Sequence, residues 1–83
     1  MPKLLDDVLL LEDCLGDALQ QQSVAPINVP RGSRGVLVHQ NEAYPSIWTI
    51  ECAVSGVAGP VLVEVSEDKF TVCANHDGVE RRP

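Results

Sequence analysis

The sequence predicts a mainly β domain in which four or five short strands close into a small barrel. Apolar and polar residues alternate between Arg34 and Cys73, which is typical of half-buried strands. Glycine and proline separate these segments at short intervals. A short chain with so few strands removes its unpaired edges most readily by closing into a barrel.

The length and composition predict one domain, residues 1–83. A chain of 83 residues has room for a single core. Apolar residues make up 45% of the chain and charged residues 22%, which is a globular balance. The aromatic share is only 4%, so the core is expected to be aliphatic.

Residues 3–19 fit two patterns. Leucines and a valine recur at spacings of three or four, as on one face of a helix, whereas Val8 and Leu10 alternate as in a strand. Gly16, several aspartates and the lack of a basic last turn weigh against one long helix. We therefore expect a short helical turn near Leu4, followed by a strand over residues 7–13.

The next segment, from Gly16 to Ser33, is predicted to be a long loop. It is polar and interrupted by proline and glycine, with edge pairing expected only at residues 27–29. The β-branched run over residues 34–40 predicts a strand, entered through Gly32 and Gly35, which tolerate positive φ.

Three more strands are expected after a turn at residues 41–45. Residues 46–54 alternate with Trp48 on the inward face, and Val61, Val63 and Val65 face inward after a turn at residues 55–60. Glu67 and Asp68 are expected to turn the chain into a last strand over residues 69–73 that contains Phe70 and Val72. Residues 75–78 are expected to end the fold, and residues 79–83 to form a frayed tail.

Two segments together resemble a family of small uncharacterised bacterial proteins. Residues 4–13 read LLDDVLLLED, and after a loop residues 29–38 read VPRGSRGVLV. The turn at Gly32 and Gly35 is also similar to the glycine-bounded turn of SH3-like barrels. The resemblance implies a five-stranded SH3-like barrel with its core over residues 5–73, whose long first loop replaces the RT loop. It implies no activity.

The charge balance disfavours several classes of partner. Twelve acidic and six basic residues give a formal charge of -6, which repels nucleic-acid phosphates and anionic bilayers and favours basic partners. The longest aliphatic run, residues 8–11, is far shorter than a membrane span. Three unpaired cysteines and the lack of a secretion signal at Met1 favour the cytoplasm.

Motifs for chemistry are weak. Cys73 and His76, with Cys52 and His39, offer zinc-ligand types, but only one close pair is present, so free thiols and surface histidines are favoured. No thiol has an evident base or oxyanion turn beside it in the sequence. We therefore expect no catalytic residue, no metal and no cofactor, and a protein that is not an enzyme.

A binding role is the remaining hypothesis. The candidate partner-binding residues are an aromatic pair, an acidic pair and a basic pair: Tyr44 and Trp48, Asp13 and Asp17, and Arg31 and Arg34. Trp48 also fits an inward core position, which is the commoner outcome. Leu37, Ile47 and Leu62 are expected to face outward and to drive homo-oligomerisation. The alternative is an acidic, immunity-like or antitoxin-like inhibitor that blocks a basic toxin or nucleic-acid enzyme.

Overall fold

The computed structural model describes residues 2–20 and 25–73, and about half of them lie in strands. The prediction of a mainly β protein is confirmed. The elements are seven strands and one short 3₁₀ helix: β1 (Asp7–Leu10), β2 (Cys14–Ala18), β3 (Ile27–Val29), β4 (Arg34–Gln40), β5 (Ile47–Cys52), β6 (Val61–Ser66), the 3₁₀ helix (Glu67–Lys69) and β7 (Phe70–Val72).

The strands form one antiparallel sheet in the order β3-β2-β6-β5-β4-β1-β7. In a flat sheet, the four spacings from β6 to β7 would span about 19 Å. The helix Glu67–Lys69 joins these two strands, although three 3₁₀ residues rise only about 6 Å. The sheet is accordingly curled into a half-barrel, which brings the end of β6 close to β7.

The expected closed barrel of five strands is wrong in its strand number and in its closure. Two additional strands, β2 and β3, form a hairpin at one edge. β2 begins at Cys14, just before the segment that was predicted to be a long loop, and β3 lies within that segment. Residues 27–29 do pair at an edge, as expected. Gly16 obscured β2 because glycine is a weak strand former, but the strand needs it for close packing. A Cβ atom at Gly16 would lie 2.7 Å from the carbonyl oxygen of Leu62.

The first strand is shorter than predicted and ends at Leu10 rather than at residue 13. The Leu10 N–H donates to the Ser33 carbonyl oxygen at 2.9 Å, and the Gly32 N–H donates to the Leu10 carbonyl oxygen at 2.9 Å. The chain then bends into β2. The expected helical turn near Leu4 is instead a tight turn, in which the Asp6 N–H donates to the Lys3 carbonyl oxygen at 3.1 Å and Leu5 has a φ of 71°.

β5 and β6 follow the predicted alternation, and the turns before and after β5 are also confirmed. β4 spans the predicted residues 34–40, but Leu37 faces inward and the register shifts between Leu37 and His39. Gly32 has the positive φ expected of it, at 87°, whereas Gly35 does not. Gly35 is needed for a different reason, because a Cβ atom there would collide with the Ile50 and Cys52 side chains.

The last strand pairs differently from the expected hairpin. β7 lies beside β1, with Phe70 opposite Leu10 and Val72 opposite Val8, and it does not pair with β6. Phe70 is buried, whereas Val72 is exposed. The predicted end of the fold at residues 75–78 and the predicted tail at 79–83 lie outside the described residues.

The core fills the concave side of the half-barrel and is aliphatic apart from one indole, one phenyl ring and one thiol. Its buried members come from six of the seven strands: Val8, Leu10, Val29, Leu37, Trp48, Ile50, Cys52, Val61, Val63, Val65 and Phe70. Leu37 is fully buried, so its predicted outward orientation is wrong. The convex side of the sheet is therefore left as the accessible face.

Candidate functional site

The outward face of the sheet carries two grooves, which we name after their leucines. Side chains alternate along a strand, so residues between core positions point away from the core. The Leu5 groove encloses about 460 Å³ and is lined by Leu5, Val36, Val38, Glu51, Cys52, Ala53, Gly59 and Pro60. The leucine groove encloses about 480 Å³ and is lined by Leu15, Asp17, Leu19, Thr49, Leu62 and Glu64.

Leu5 holds an unusual position at the rim of its groove. It is the only non-glycine residue with positive φ among those that the structure describes, at 71°, and its side chain is 70% exposed. The Leu5 N–H donates to the Leu37 carbonyl oxygen at 2.7 Å, which extends the pairing of β1 and β4 and fixes this conformation. A left-handed backbone conformation costs a residue that has a Cβ atom about 1–2 kcal/mol in conformational free energy. The fold thus holds an exposed leucine in a strained conformation next to other apolar side chains.

The leucine groove is built by the pairing of β2 with β6. Asp17 lies opposite Leu62, and the Leu19 N–H donates to the Pro60 carbonyl oxygen at 3.0 Å. This register sets the outward residues of the two strands side by side, so that leucine and carboxylate positions alternate across the surface. Leu15 and Leu19 are 65% and 58% exposed.

Carboxylates surround the half-buried Leu62. Asp17 of β2 and Glu51 of β5 are its direct cross-strand neighbours, and Glu64 follows two residues along β6. None of these three carboxylates forms an ion pair within the described parts of the chain. Like charges on neighbouring strands repel one another, so this exposed part of the outward face carries a local excess of negative charge.

The predicted partner-binding residues do not come together as one site. Tyr44 is 68% exposed in the loop between β4 and β5, where its N–H donates to Asn41 Oδ1 at 2.8 Å, and it lines neither groove. Asp13 accepts a hydrogen bond from the Arg31 N–H at 2.8 Å, so these two residues do meet and tie the bend before β2 to the turn before β4. Arg34 is exposed at the start of β4.

Trp48 is a core residue, and its assignment as a partner contact is corrected on that ground. Its side chain is 3% exposed and packs in the core cluster. Its Nε1 donates to Glu67 Oε2 at 2.8 Å, which satisfies the indole N–H. Asp17 is the one member of the predicted partner-binding set that lines a groove.

The three residues predicted for self-association have different positions. Leu37 is excluded because it is buried in the core opposite Ile50. Ile47 and Leu62 are half-buried at outward positions of β5 and β6. Five exposed leucines of the described residues were not among the predicted ones: Leu4, Leu5, Leu11, Leu15 and Leu19. Of these, Leu5, Leu15 and Leu19 line a groove. The spacing of Leu15, Asp17 and Leu19 is a period-two pattern that the interruption at Gly16 obscured.

The cysteines of the described residues are free thiols. Burial raises the pKa of the Cys52 thiol to about 11, and Cys14 and Glu51 add to this shift. Burial, together with Glu12, also raises the pKa of Cys14. No group of three or more histidine, cysteine or acidic side chains within the described residues could hold a metal ion, and His76 lies outside them. A thiol with a raised pKa stays protonated at neutral pH and is a poor nucleophile.

None of the helices in the described parts of the chain is long and apolar enough to cross a membrane.

The comparisons with known proteins give no relative. No family model, no curated protein and no solved structure matches this chain.

Proposed function

We propose that this protein is a non-enzymatic interaction module that associates with itself through the Leu5 groove. We also propose that its half-barrel is an opened variant of the SH3-like barrel. The pairing of β1 with both β4 and β7 supports this fold assignment, because it places the first and the last described strands beside each other. The β2–β3 hairpin then takes the place of the long first loop.

The observation that carries the self-association proposal is the strained, exposed Leu5. A left-handed leucine costs stability, and its exposed side chain gains nothing from burial within the chain. Both costs are offset if a second copy covers the side chain. Val36, Val38, Ala53 and Pro60 extend the apolar surface around it, and Glu51 is the only charged side chain among the described residues that line the groove.

The composition of the groove also favours a second copy as its occupant. In a twofold assembly the same patch meets itself, so an apolar patch with few charges is self-complementary. The described lining of the Leu5 groove carries one carboxylate, so few like charges from these residues would come together in such a dimer. The outward Ile47, predicted for self-association, lies on the same strand as Glu51.

Light scattering coupled to size-exclusion chromatography tests this proposal with Leu5→Asn. Asparagine adopts the left-handed backbone more readily than leucine does, so the variant removes the apolar side chain without adding strain. We expect the native chain to be a dimer or a higher oligomer at high concentration and Leu5→Asn to be largely monomeric.

Leu4→Asn is the matched control. Leu4 is 55% exposed in the same turn but lines neither groove, so its replacement should leave the oligomer intact. A native chain that stays monomeric at high concentration would refute self-association. Equal behaviour of Leu5→Asn and Leu4→Asn would refute the Leu5 groove as the interface.

A second candidate function is an acidic inhibitor of a basic toxin or nucleic-acid enzyme. The three carboxylates around Leu62, which form no ion pair with any described residue, support it, because a basic protein would neutralise them. This candidate predicts a single basic partner that dissociates at high salt.

A further inference from the structure

We propose that the leucine groove, between β2 and β6, binds a basic amphipathic helix of another protein. Its apolar contacts are Leu15 of β2, Leu62 of β6 and Leu19, which directly follows β2. Leu15 and Leu19 are 65% and 58% exposed, so they are accessible to a partner without any rearrangement of the sheet.

The charges beside these leucines identify the kind of partner. Asp17 and Glu64 line the groove, and Glu51 flanks Leu62 from the opposite strand. All three lack an ion pair within the described residues, on a chain whose formal charge is -6. Lysine or arginine side chains of a partner would neutralise them, and such charge complementarity speeds association and selects against acidic partners.

The same charges disfavour a twofold contact between two copies of this chain at this groove. Such a contact would bring Asp17 and Glu64 of both copies together, which places four carboxylates at one interface. The leucine groove therefore differs from the Leu5 groove, which has one carboxylate. This inference goes beyond self-association and does not depend on it.

A helix suits the surface because the apolar face of a sheet is commonly covered by the apolar stripe of a helix. Leucines at helical spacing would meet Leu15, Leu19 and Leu62, and lysines at the edges of the stripe would reach the carboxylates that alternate with them. The ligand class is thus a leucine-rich helix with basic flanks.

Fluorescence anisotropy with a labelled synthetic peptide tests the proposal. The peptide contains only leucine and lysine, with the leucines at i, i+3, i+4 and i+7 positions on one helical face. A second peptide has glutamate in place of every lysine. We expect the lysine peptide to bind and its affinity to fall as salt increases, because exposed charges are screened. We expect no binding of the glutamate peptide.

Matched variants of the protein distinguish binding at the leucine groove from nonspecific attraction by the net charge. Glu64→Gln and Glu42→Gln change the net charge equally, but Glu42 lies in the loop after β4 and lines neither groove. We expect roughly a fivefold to tenfold loss of affinity from Glu64→Gln and little change from Glu42→Gln. In the same way, Leu19→Ala should weaken binding roughly tenfold, whereas Leu4→Ala should not.

Urea midpoints followed through Trp48 fluorescence verify that each variant is folded. Equal losses from Glu64→Gln and Glu42→Gln would overturn the proposal, since binding would then follow net charge alone. Leu19→Ala without effect would overturn it as well. If Leu19→Ala dissociates the oligomer and leaves peptide binding unchanged, the groove is a contact between copies and the proposal is wrong. Leu5→Asn should not alter peptide binding, so this test and the self-association test fail independently.

Discussion

The Trp48 indole Nε1 donates a hydrogen bond to Glu67 Oε2 at 2.8 Å, and this contact fastens the 3₁₀ helix to β5. The Glu67 N–H also donates to the Ser46 carbonyl oxygen at 2.9 Å, so backbone and side chain hold the same residue. The helix carries the chain from β6 to β7 at the far edge of the sheet. The two hydrogen bonds therefore position the 3₁₀ helix that connects β6 to β7, and the curl of the sheet depends on this connection.

Removal of the Glu67 carboxylate should destabilise this crossing. Glu67→Ala leaves the partly buried indole N–H without its acceptor, at a cost of about 1–2 kcal/mol in the free energy of unfolding. Glu67→Gln should cost less, because the amide oxygen still accepts from Nε1. Urea unfolding followed through Trp48, the single tryptophan, measures both. Glu42→Ala in an exposed loop is the control, and a Glu67→Ala loss no larger than the control loss would contradict this role of the bond.

Gly16 is expected to tolerate no side chain. In Gly16→Ala the Cβ would lie 2.7 Å from the Leu62 carbonyl oxygen and 2.8 Å from Val61 Cγ1, so β2 and β6 would have to separate. We expect a loss of about 2–3 kcal/mol, as for overpacked sites. Gly32→Asn, at a turn with open space and a φ of 87°, should lose less than about 1 kcal/mol, because asparagine tolerates this conformation. Comparable urea midpoints for the two variants would refute tight packing of β2 against β6.

The alternating sequence of β5 and β6 was sufficient to predict both strands and their inward residues. Trp48 and Ile50 on β5 and Val61 and Val63 on β6 are buried as that alternation requires. Strand propensity could not predict β2, because glycine is unfavourable in a strand. It is favoured only where a neighbouring strand lies so close that no side chain would fit, as β6 does at Gly16. That condition depends on the pairing with β6, which is a long-range contact.

The candidate site was harder to predict than the fold. The run of Val36, Leu37 and Val38 has no polar residue to fix which side faces inward, and the register shifts between Leu37 and His39. The sequence therefore allowed Leu37 to face outward, and the structure places it in the core. Leu5 has a backbone conformation that leucine rarely adopts, so the conformational preference of leucine did not predict its position.

Leu37→Ala should test the inward orientation directly. Truncation of a fully buried leucine costs about 2–5 kcal/mol, because it removes apolar contacts and leaves a cavity. Leu4→Ala, at a site 55% exposed, should change the free energy of unfolding by less than about 0.5 kcal/mol. Chemical denaturation of both variants provides the comparison. A loss for Leu37→Ala as small as that for Leu4→Ala would show that Leu37 faces solvent.

The Cys52 thiol should make the stability of the fold depend on alkaline pH. Burial raises its pKa from 9.0 to about 11, so between these values the unfolded chain loses a proton that the folded chain retains. The unfolded state then binds fewer protons, and the free energy of unfolding falls as pH rises through this window. Below pH 9 both states are protonated, and this stabilising contribution is fully present.

Cys52→Ala removes this titration. The variant is expected to be less stable at neutral pH, because it loses buried contacts, but its stability should fall less steeply between pH 9 and pH 11. Urea midpoints of both proteins across this range measure the two slopes. Titration of the groups that do not interact with Cys52 is common to both proteins and cancels in the comparison, whereas Cys14 interacts with Cys52. Parallel slopes would mean that the Cys52 thiol ionises as readily in the folded chain as in the unfolded one, and would contradict the raised pKa.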